Sequence, residues 1–397
     1  LAKTTAQILR DYRGPALFSF GFRPFFLLAA LWAAVAMPLW ILSFLKPGAG
    51  LGLVLTTDWH VHEMLFGYTG AVIVGYMTVA GANWTGHYPV AGRPLVLLAV
   101  LWLAGRAAML AYGVLGPIAA AIDATFLLLF ALALWREQLA ASTWRGLPPT
   151  VIISLLALAN IGFHTKAILP DLGAAAERAA IGLITFLIAL IGGRLVPSFT
   201  RNWIARHKLT AEPAPYGPLD TGALAVTGAA TLAWTLLPFS TLSGALLTIA
   251  GLGLLIRLSR WRGWSVRGEA MVLVLHLGYF WCGLGLLLLG ASILAPAEVP
   301  TSAAIHALTA GAVGVMTLAV MTRTSRSHTG RVRQADGATL WIYILANAAA
   351  ALRLVAAFAP SLYSGLLVAA AICWSLAFGL FVLSYGPMLL RPRARKA

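Results

Sequence analysis

Apolar residues along this chain fall in long blocks, without the strict alternation of a half-buried strand or the narrow stripe of a soluble helix. Short polar segments rich in Arg, Pro, Gly and Asp separate them. Blocks of roughly 17–25 residues match the length an α-helix needs to cross a bilayer. The pattern predicts twelve helices, over 22–44, 62–82, 94–114, 117–135, 148–164, 177–196, 220–239, 242–257, 269–291, 302–322, 338–358 and 361–385. The seventh and eighth are divided only by the turn PFSTLSG. The longest connections, 45–61, 165–176, 197–219 and 323–337, are too short to hold a core of their own. The expectation is an all-α, polytopic membrane protein forming one transmembrane domain over 1–397, and no internal repeat stands out.

Composition sharpens this reading. Of 397 residues, 60% are hydrophobic and 10% charged, against about 25% charged in soluble proteins. The formal charge of +16 raises the question of nucleic acid, but the basic residues lie in the connections. With the N-terminus in the cytoplasm, all but five of the 28 Lys and Arg fall at or near cytoplasmic ends. Lys46 and Lys166 lie on the other side, and Arg106, Arg178 and Arg353 fall within or at the ends of spans. That bias is the positive-inside rule, and it places both termini in the cytoplasm with no nucleic-acid partner. Cys282 and Cys373 sit in apolar segments and read as small buried hydrophobes. The first apolar run opens with Arg23 and Pro24 and continues for a full span, unlike a cleavable signal peptide.

Against so few charges, the stretch DWHVHEM at 58–64 is conspicuous. The topology places His60 and His62 at the outer end of the second helix, His164 at the outer end of the fifth, and His306 about one turn into the tenth. His276 lies nearer mid-membrane. Glu63, Asn160, Arg106, Asp123 and Arg353 share the outer half, where ionisable groups are costly and mark a pathway, a pair or a bound group. An Arg106–Asp123 ion pair is the simplest account of those two. Arg353 has no acid in its own helix, which suits an anion such as a haem propionate. Neutral imidazole ligates haem iron and copper, and two histidines at equal depth on different helices suit a porphyrin between them. His60 and His62 at i and i+2 point apart if both are helical. His60 shares a face with Glu63 and Met64, an N/O/S corner for copper. Glu63 and Asn160 are acceptors for the second N–H of a ligating imidazole.

Five segments carry a resemblance: GFRPFFLLAALWA (21–33), WHVHEMLFGY (59–68), NWTGHYPVAGRPL (83–95), WLAGR (102–106) and HALTAGAVGVMTLAVMTRTSRSHTGR (306–331). Together they resemble the NnrS family, haem- and copper-containing membrane proteins of the bacterial nitric-oxide response. The resemblance implies an inner-membrane protein of about twelve helices that binds haem and copper and protects against nitrosative stress. His60, His62, His87, His306 and His328 fall inside the matching motifs, whereas His164 and His276 rest on depth alone. A looser likeness links the chain to the catalytic subunit of haem–copper oxidases, with histidines on helices two and ten. The paired copper histidines and tyrosine-bearing motif of that family are missing, which disfavours oxygen reduction.

The expected function is therefore binding or metabolism of nitric oxide. His62 and His306 are the candidate ligands of a b-type haem, with Arg353 or Arg106 at its propionates. His60, His164 and His276 are candidate copper ligands. No CxxCH attachment or iron–sulfur cysteine pattern is present, so electrons for any reduction must come from quinol or a cytochrome. Two alternatives stand beside it: a secondary transporter for copper or a nitrogen oxide, and a sensor of nitric oxide or copper without turnover.

Overall fold

Local chemistry sets the helix starts. The Thr56 hydroxyl accepts from the Trp59 amide at 3.2 Å, and the side chains of Ser240, Glu269 and Asp336 cap later helices in the same way. Prolines occupy the first turn of several others, where no amide partner is required. The computed structural model describes residues 7, 11–46, 55–85, 90–141 and 143–394, and every regular element among them is helical. His87 lies outside the described residues.

The long helices are α1 (Phe22–Leu45), α2 (Thr57–His62, Glu63–Thr69 and Gly70–Thr85 in succession), α3 (Arg93–Leu110), α4 (Pro117–Ala140), α5 (Leu147–His164) and α6 (Pro170–Arg206). After them come α7 (Pro218–Leu236), α8 (Thr241–Ser259), α9 (Ala270–Leu294), α10 (Thr301–His306, Ala307–Val313 and Gly314–His328), α11 (Gly337–Ala356) and α12 (Tyr363–Leu390). Among the described residues, eleven helices are long and apolar enough to cross a membrane. The remaining one, α7, carries a ladder of threonines. Thr227, Thr231 and Thr235 return their hydroxyls to carbonyls four residues back. Several boundaries differ from expectation: the Thr56 cap starts α2 at Thr57, α6 extends beyond 177–196 at both ends, and α4, α10 and α12 run past 135, 322 and 385.

The chain divides into two compact units, one of Leu1–Glu177, Met321–Val332 and Phe378–Ala397, the other of Arg178–Val320 and Arg333–Ala377. In the first, α1 packs on α2, and α4 packs on both α3 and α5. In the second, α8 packs on α7 and α9, while the Ala307–Val313 segment of α10 packs on α9 and α11. Glycines let α8 and α9 touch backbone to backbone. A Cβ on Gly251 would stand 2.6 Å from the Leu287 nitrogen and 2.7 Å from the Gly283 oxygen, and one on Gly290 would stand 2.7 Å from the Gly244 oxygen. Close approach through small residues is how helices associate where lipid removes the hydrophobic drive.

A repeat that the apolar blocks conceal becomes visible in the backbone. Both α2 and α10 run six residues as α-helix, ending on a histidine, then seven as π-helix, then return to α-helix at a glycine. His62 and His306, Glu63–Thr69 and Ala307–Val313, and Gly70 and Gly314 correspond at one constant separation, and so do the starts of α3 and α11 at Arg93 and Gly337. In the same register Thr57 matches Thr301, Gly67 matches Gly311, Met77 and Thr78 match Met321 and Thr322, and Thr85 and Gly86 match Thr329 and Gly330. Side chains help hold the first π segment. Thr69 Oγ1 donates to the Met64 carbonyl at 2.7 Å, and Trp102 Nε1 to the Gly67 carbonyl at 2.9 Å. π-Helical turns concentrate at functional sites.

The glycine seam makes a prediction of opposite signs. Gly251→Ala drives a methyl group into the α9 backbone and is expected to lower the thermal midpoint, at a cost of about 1–3 kcal/mol. Gly222→Ala on α7, where a Cβ meets nothing within 4 Å, is expected to hold or raise it, because alanine is the better helix former. Thermal unfolding of the purified variants reads both.

Candidate metal centre

Four helices of the first unit deliver polar side chains to one buried point. α2 supplies His62 and Glu63, α3 supplies Arg106, α4 supplies Asp123, and α5 supplies Asn160 and His164. His62 and Glu63 are fully buried, and Asp123, Asn160 and Arg106 nearly so. Trp32 of α1 donates its indole N–H to Glu63 Oε2 at 2.6 Å.

The hydrogen bonds fix chemical roles. Arg106 donates through Nη1 to Glu63 Oε2 and through Nη2 to Asp123 Oδ1, so one guanidinium joins both carboxylates. Gly67 has no side chain because one would strike that guanidinium, and its Cβ would lie 2.8 Å from Glu63 Oε2. His62 Nδ1 stands 3.0 Å from Glu63 Oε1. An ionised carboxylate only accepts, so Nδ1 carries the proton there. His62 Nε2 then faces Asp123 Oδ2 at 3.0 Å and Asn160 Oδ1 at 3.1 Å. Asn160 spends its Nδ2 on Asp123 Oδ2 at 2.9 Å, which leaves its oxygen toward His62. His164 Nε2 approaches the same Asp123 Oδ2 at 3.1 Å.

A neutral His62 would turn a lone pair toward two acceptor oxygens. The cluster also contains two carboxylates and one guanidinium, one positive charge short of balance. In a low dielectric an unbalanced charge is expensive. Either an added proton or a bound cation between Asp123 and the imidazoles removes both problems. His62, Asp123 and His164 offer three ligand atoms within 4.8 Å of one another. Two imidazole nitrogens and one carboxylate oxygen suit borderline transition metals such as copper or zinc. Glu63 on His62 Nδ1 is the outer partner that orients a ligating imidazole.

Lys166 follows His164 by two residues. Its Nζ donates to Asp58 at 2.6 Å and to Glu177 at 2.9 Å, and lies 5.5 Å from the Phe163 ring. Burial alone would lower its pKa, but the two carboxylates outweigh it and hold the ammonium above lysine's ordinary value.

The other sequence candidates sit elsewhere. His60, one turn before Met64, stacks on Trp40 with ring centroids 4.9 Å apart, while Glu63 is taken up by His62, Arg106 and Trp32. His60 and His62 are both helical and do point apart. Three candidates lie in the second unit. His276 on α9 approaches the Val272 carbonyl through Nδ1 at 3.2 Å and Thr200 Oγ1 through Nε2 at 3.4 Å. His306 on α10 donates through Nδ1 to the Ser302 carbonyl at 2.8 Å, which leaves the lone pair on Nε2. Arg353 on α11 has its guanidinium 5.9 Å from the Tyr363 ring, and its buried Nη1 has no hydrogen-bond partner among the described residues. The expected Arg106–Asp123 pair is present, and both Nη atoms of Arg106 are engaged by carboxylates. Asp123 as a shared ligand atom was not anticipated. Its signal was an acid at the depth of His62 and His164 in a chain with few acids in its spans.

Truncating the shared cation tests the charge count. Arg106→Ala leaves two carboxylates without it and is expected to cost about 3–5 kcal/mol, the range for removing one partner of a buried pair. Adding Asp123→Asn to that variant is expected to restore part of the loss. Thermal unfolding of the single and double variants measures it, and a single variant as stable as wild type would refute the ionised pair.

Comparison with known proteins adds the family. No curated protein matches the chain, whereas the family described as NnrS protein matches residues 16–393. That coverage spans every long helix and the whole cluster around His62, and the chain is a member of the NnrS family, a multi-pass protein of the inner membrane.

Proposed function

We propose that this protein is a haem- and copper-containing membrane protein that binds or metabolises nitric oxide and protects against nitrosative stress. The observation that carries the metal part is the charge and donor arrangement around Asp123. His62 Nε2, His164 Nε2 and Asp123 Oδ2 are the atoms offered to copper, with Glu63 and Asn160 orienting them. The cluster would gain from a cuprous ion the one positive charge it lacks, and copper held there would supply electron exchange. Nitric oxide is small, uncharged and soluble in lipid, so it needs no polar channel to reach a buried centre.

For haem, His306 fits the chemistry of an axial ligand, because Ser302 fixes its tautomer with Nε2 as the donor atom. Arg353, with a buried Nη1 lacking a partner, fits a propionate. The pairing of His62 with His306 as candidate axial ligands draws on their matching places immediately ahead of a π-helical turn. In that pairing Nε2 of His62 would leave Asp123 for iron, and copper would keep His164 and Asp123. His60 and His276 remain the other copper candidates. Electrons for turnover would come from quinol or a cytochrome.

A second reading, transport of copper or a nitrogen oxide, draws support from the repeat and the interrupted helices, both frequent in transporters. Sensing without turnover would use the same sites.

Metal analysis and reduced-minus-oxidised spectra of the purified protein separate these readings. His164→Ala is expected to lose copper and retain the Soret band, and His306→Ala to lose the Soret band. His62→Ala assigns its nitrogen by which of the two disappears. A wild-type protein without haem that moves copper into vesicles would select transport, and nitric-oxide-dependent spectral change would select an open iron.

A further inference from the structure

A second polar assembly closes the opposite, cytoplasmic end of the first unit, where α1, α10 and α12 meet. Arg23, only 3% exposed, donates through Nη1 to the Leu389 carbonyl at 2.8 Å and the Arg391 carbonyl at 2.7 Å, capping the end of α12. The chain after α10 turns at Gly330, whose φ of 79° favours glycine. The C-terminal segment lies on that turn, with the Ala394 amide donating to the Thr329 carbonyl at 3.0 Å. A Cβ on Gly330 would stand 2.6 Å from the Ala394 oxygen. His328 lies 5.9 and 5.6 Å from the rings of Phe20 and Phe22. Arg326 donates to the Tyr385 hydroxyl at 3.1 Å.

This knot gathers positive charge without matching negative charge. Arg331 lies in the field of Arg326 and Arg391, and burial together with those charges lowers its pKa. Among the described residues no carboxylate pairs with Arg23, Arg331, Arg391 or Arg393. Among the described residues, the buried Nε of Arg23 has no hydrogen-bond partner, nor does the buried Oγ of Ser325 in the last turn of α10. Basic residues on this side are what topology requires. Topology does not require one of them to be buried with its Nε left without an acceptor.

We propose that the knot of α1, α10 and α12 binds a phosphate oxyanion, held by Arg23, Arg331, Arg391 and Arg393. Guanidinium forks match tetrahedral oxyanions with paired charge-assisted hydrogen bonds. The phosphodiester of an anionic lipid in the adjoining leaflet and free inorganic phosphate share this chemistry.

The test uses the full chain purified in detergent, titrated separately with phosphatidylglycerol, phosphatidylcholine and inorganic phosphate. Thermal midpoint and bound lipid by native mass spectrometry are the readouts. Phosphatidylglycerol is expected to bind and raise the midpoint while phosphatidylcholine does neither. Arg331→Gln and Arg391→Gln, at half-buried and exposed positions, are expected each to weaken binding about fivefold, and Arg391→Lys less. A shift produced by inorganic phosphate alone, with nothing added by the lipid, would keep the site and assign it a soluble anion. Equal binding of both lipids with no phosphate effect, or unchanged binding in both Gln variants, would overturn it.

Discussion

One guanidinium shared by two carboxylates is the constraint around which the first unit is built. Arg106 comes from α3, Glu63 from α2 and Asp123 from α4, so the three helices take their mutual positions from it. The expense of unpaired charge in hydrocarbon makes the geometry strict. Gly67 is small because the guanidinium passes over it, and Trp102, stacked 5.7 Å from that guanidinium, satisfies the carbonyl of the same glycine. The π-helical turn is thus tied to the charge cluster through one residue. His62 ends the α-helical turn just before it, and its neutral Nε2 faces Asp123 with a lone pair that only a proton or a metal ion can use.

The repeated helix supplies a contrast within one chain. In the register that matches His62 with His306, Glu63 matches Ala307, Arg106 matches Ala350 and Asp123 matches Leu367. The histidine and its π-helical turn persist, while the charged shell is present only in the first copy. An imidazole among carboxylates suits a bare cation. An imidazole with apolar counterparts in those places suits a ligand that brings its own neutralising charge, as the porphyrin dianion does for ferrous iron. That difference is why copper is assigned to the α2–α5 cluster and haem to the neighbourhood of His306 on the proposed reading.

Much of this was legible in the residues. Block length and the distribution of Arg and Lys gave twelve helices, because lipid imposes a length that soluble folds do not. Depth alone placed Glu63, Arg106, Asp123, Asn160 and His164 near His62, and the first unit brings those six side chains together. What depth leaves open is azimuth. A helix entering at the right level presents a side chain in any direction around its axis, and the His60 ring stacks on Trp40 while His62, two residues on, faces Asp123. Helix boundaries slipped where a cap such as Thr56 decided them. The repeat stayed hidden because apolar residues exchange freely in lipid-facing helices, leaving His, Gly, Met and Thr as its sparse markers.

The missing positive charge also links metal to proton. With Nδ1 of His62 committed to Glu63, an imidazolium proton on Nε2 would occupy the space between that nitrogen and Asp123 Oδ2, where a copper ion would sit. The two cations are therefore alternatives, and imidazoles must be neutral to ligate. Loading the centre with a monovalent ion leaves the total charge of the cluster as the proton left it, so the exchange carries little electrostatic cost even in a buried site. A divalent ion adds one further charge and needs a compensating anion or the loss of another proton. On the proposed reading, charge balance alone would therefore weigh toward the lower oxidation state of copper.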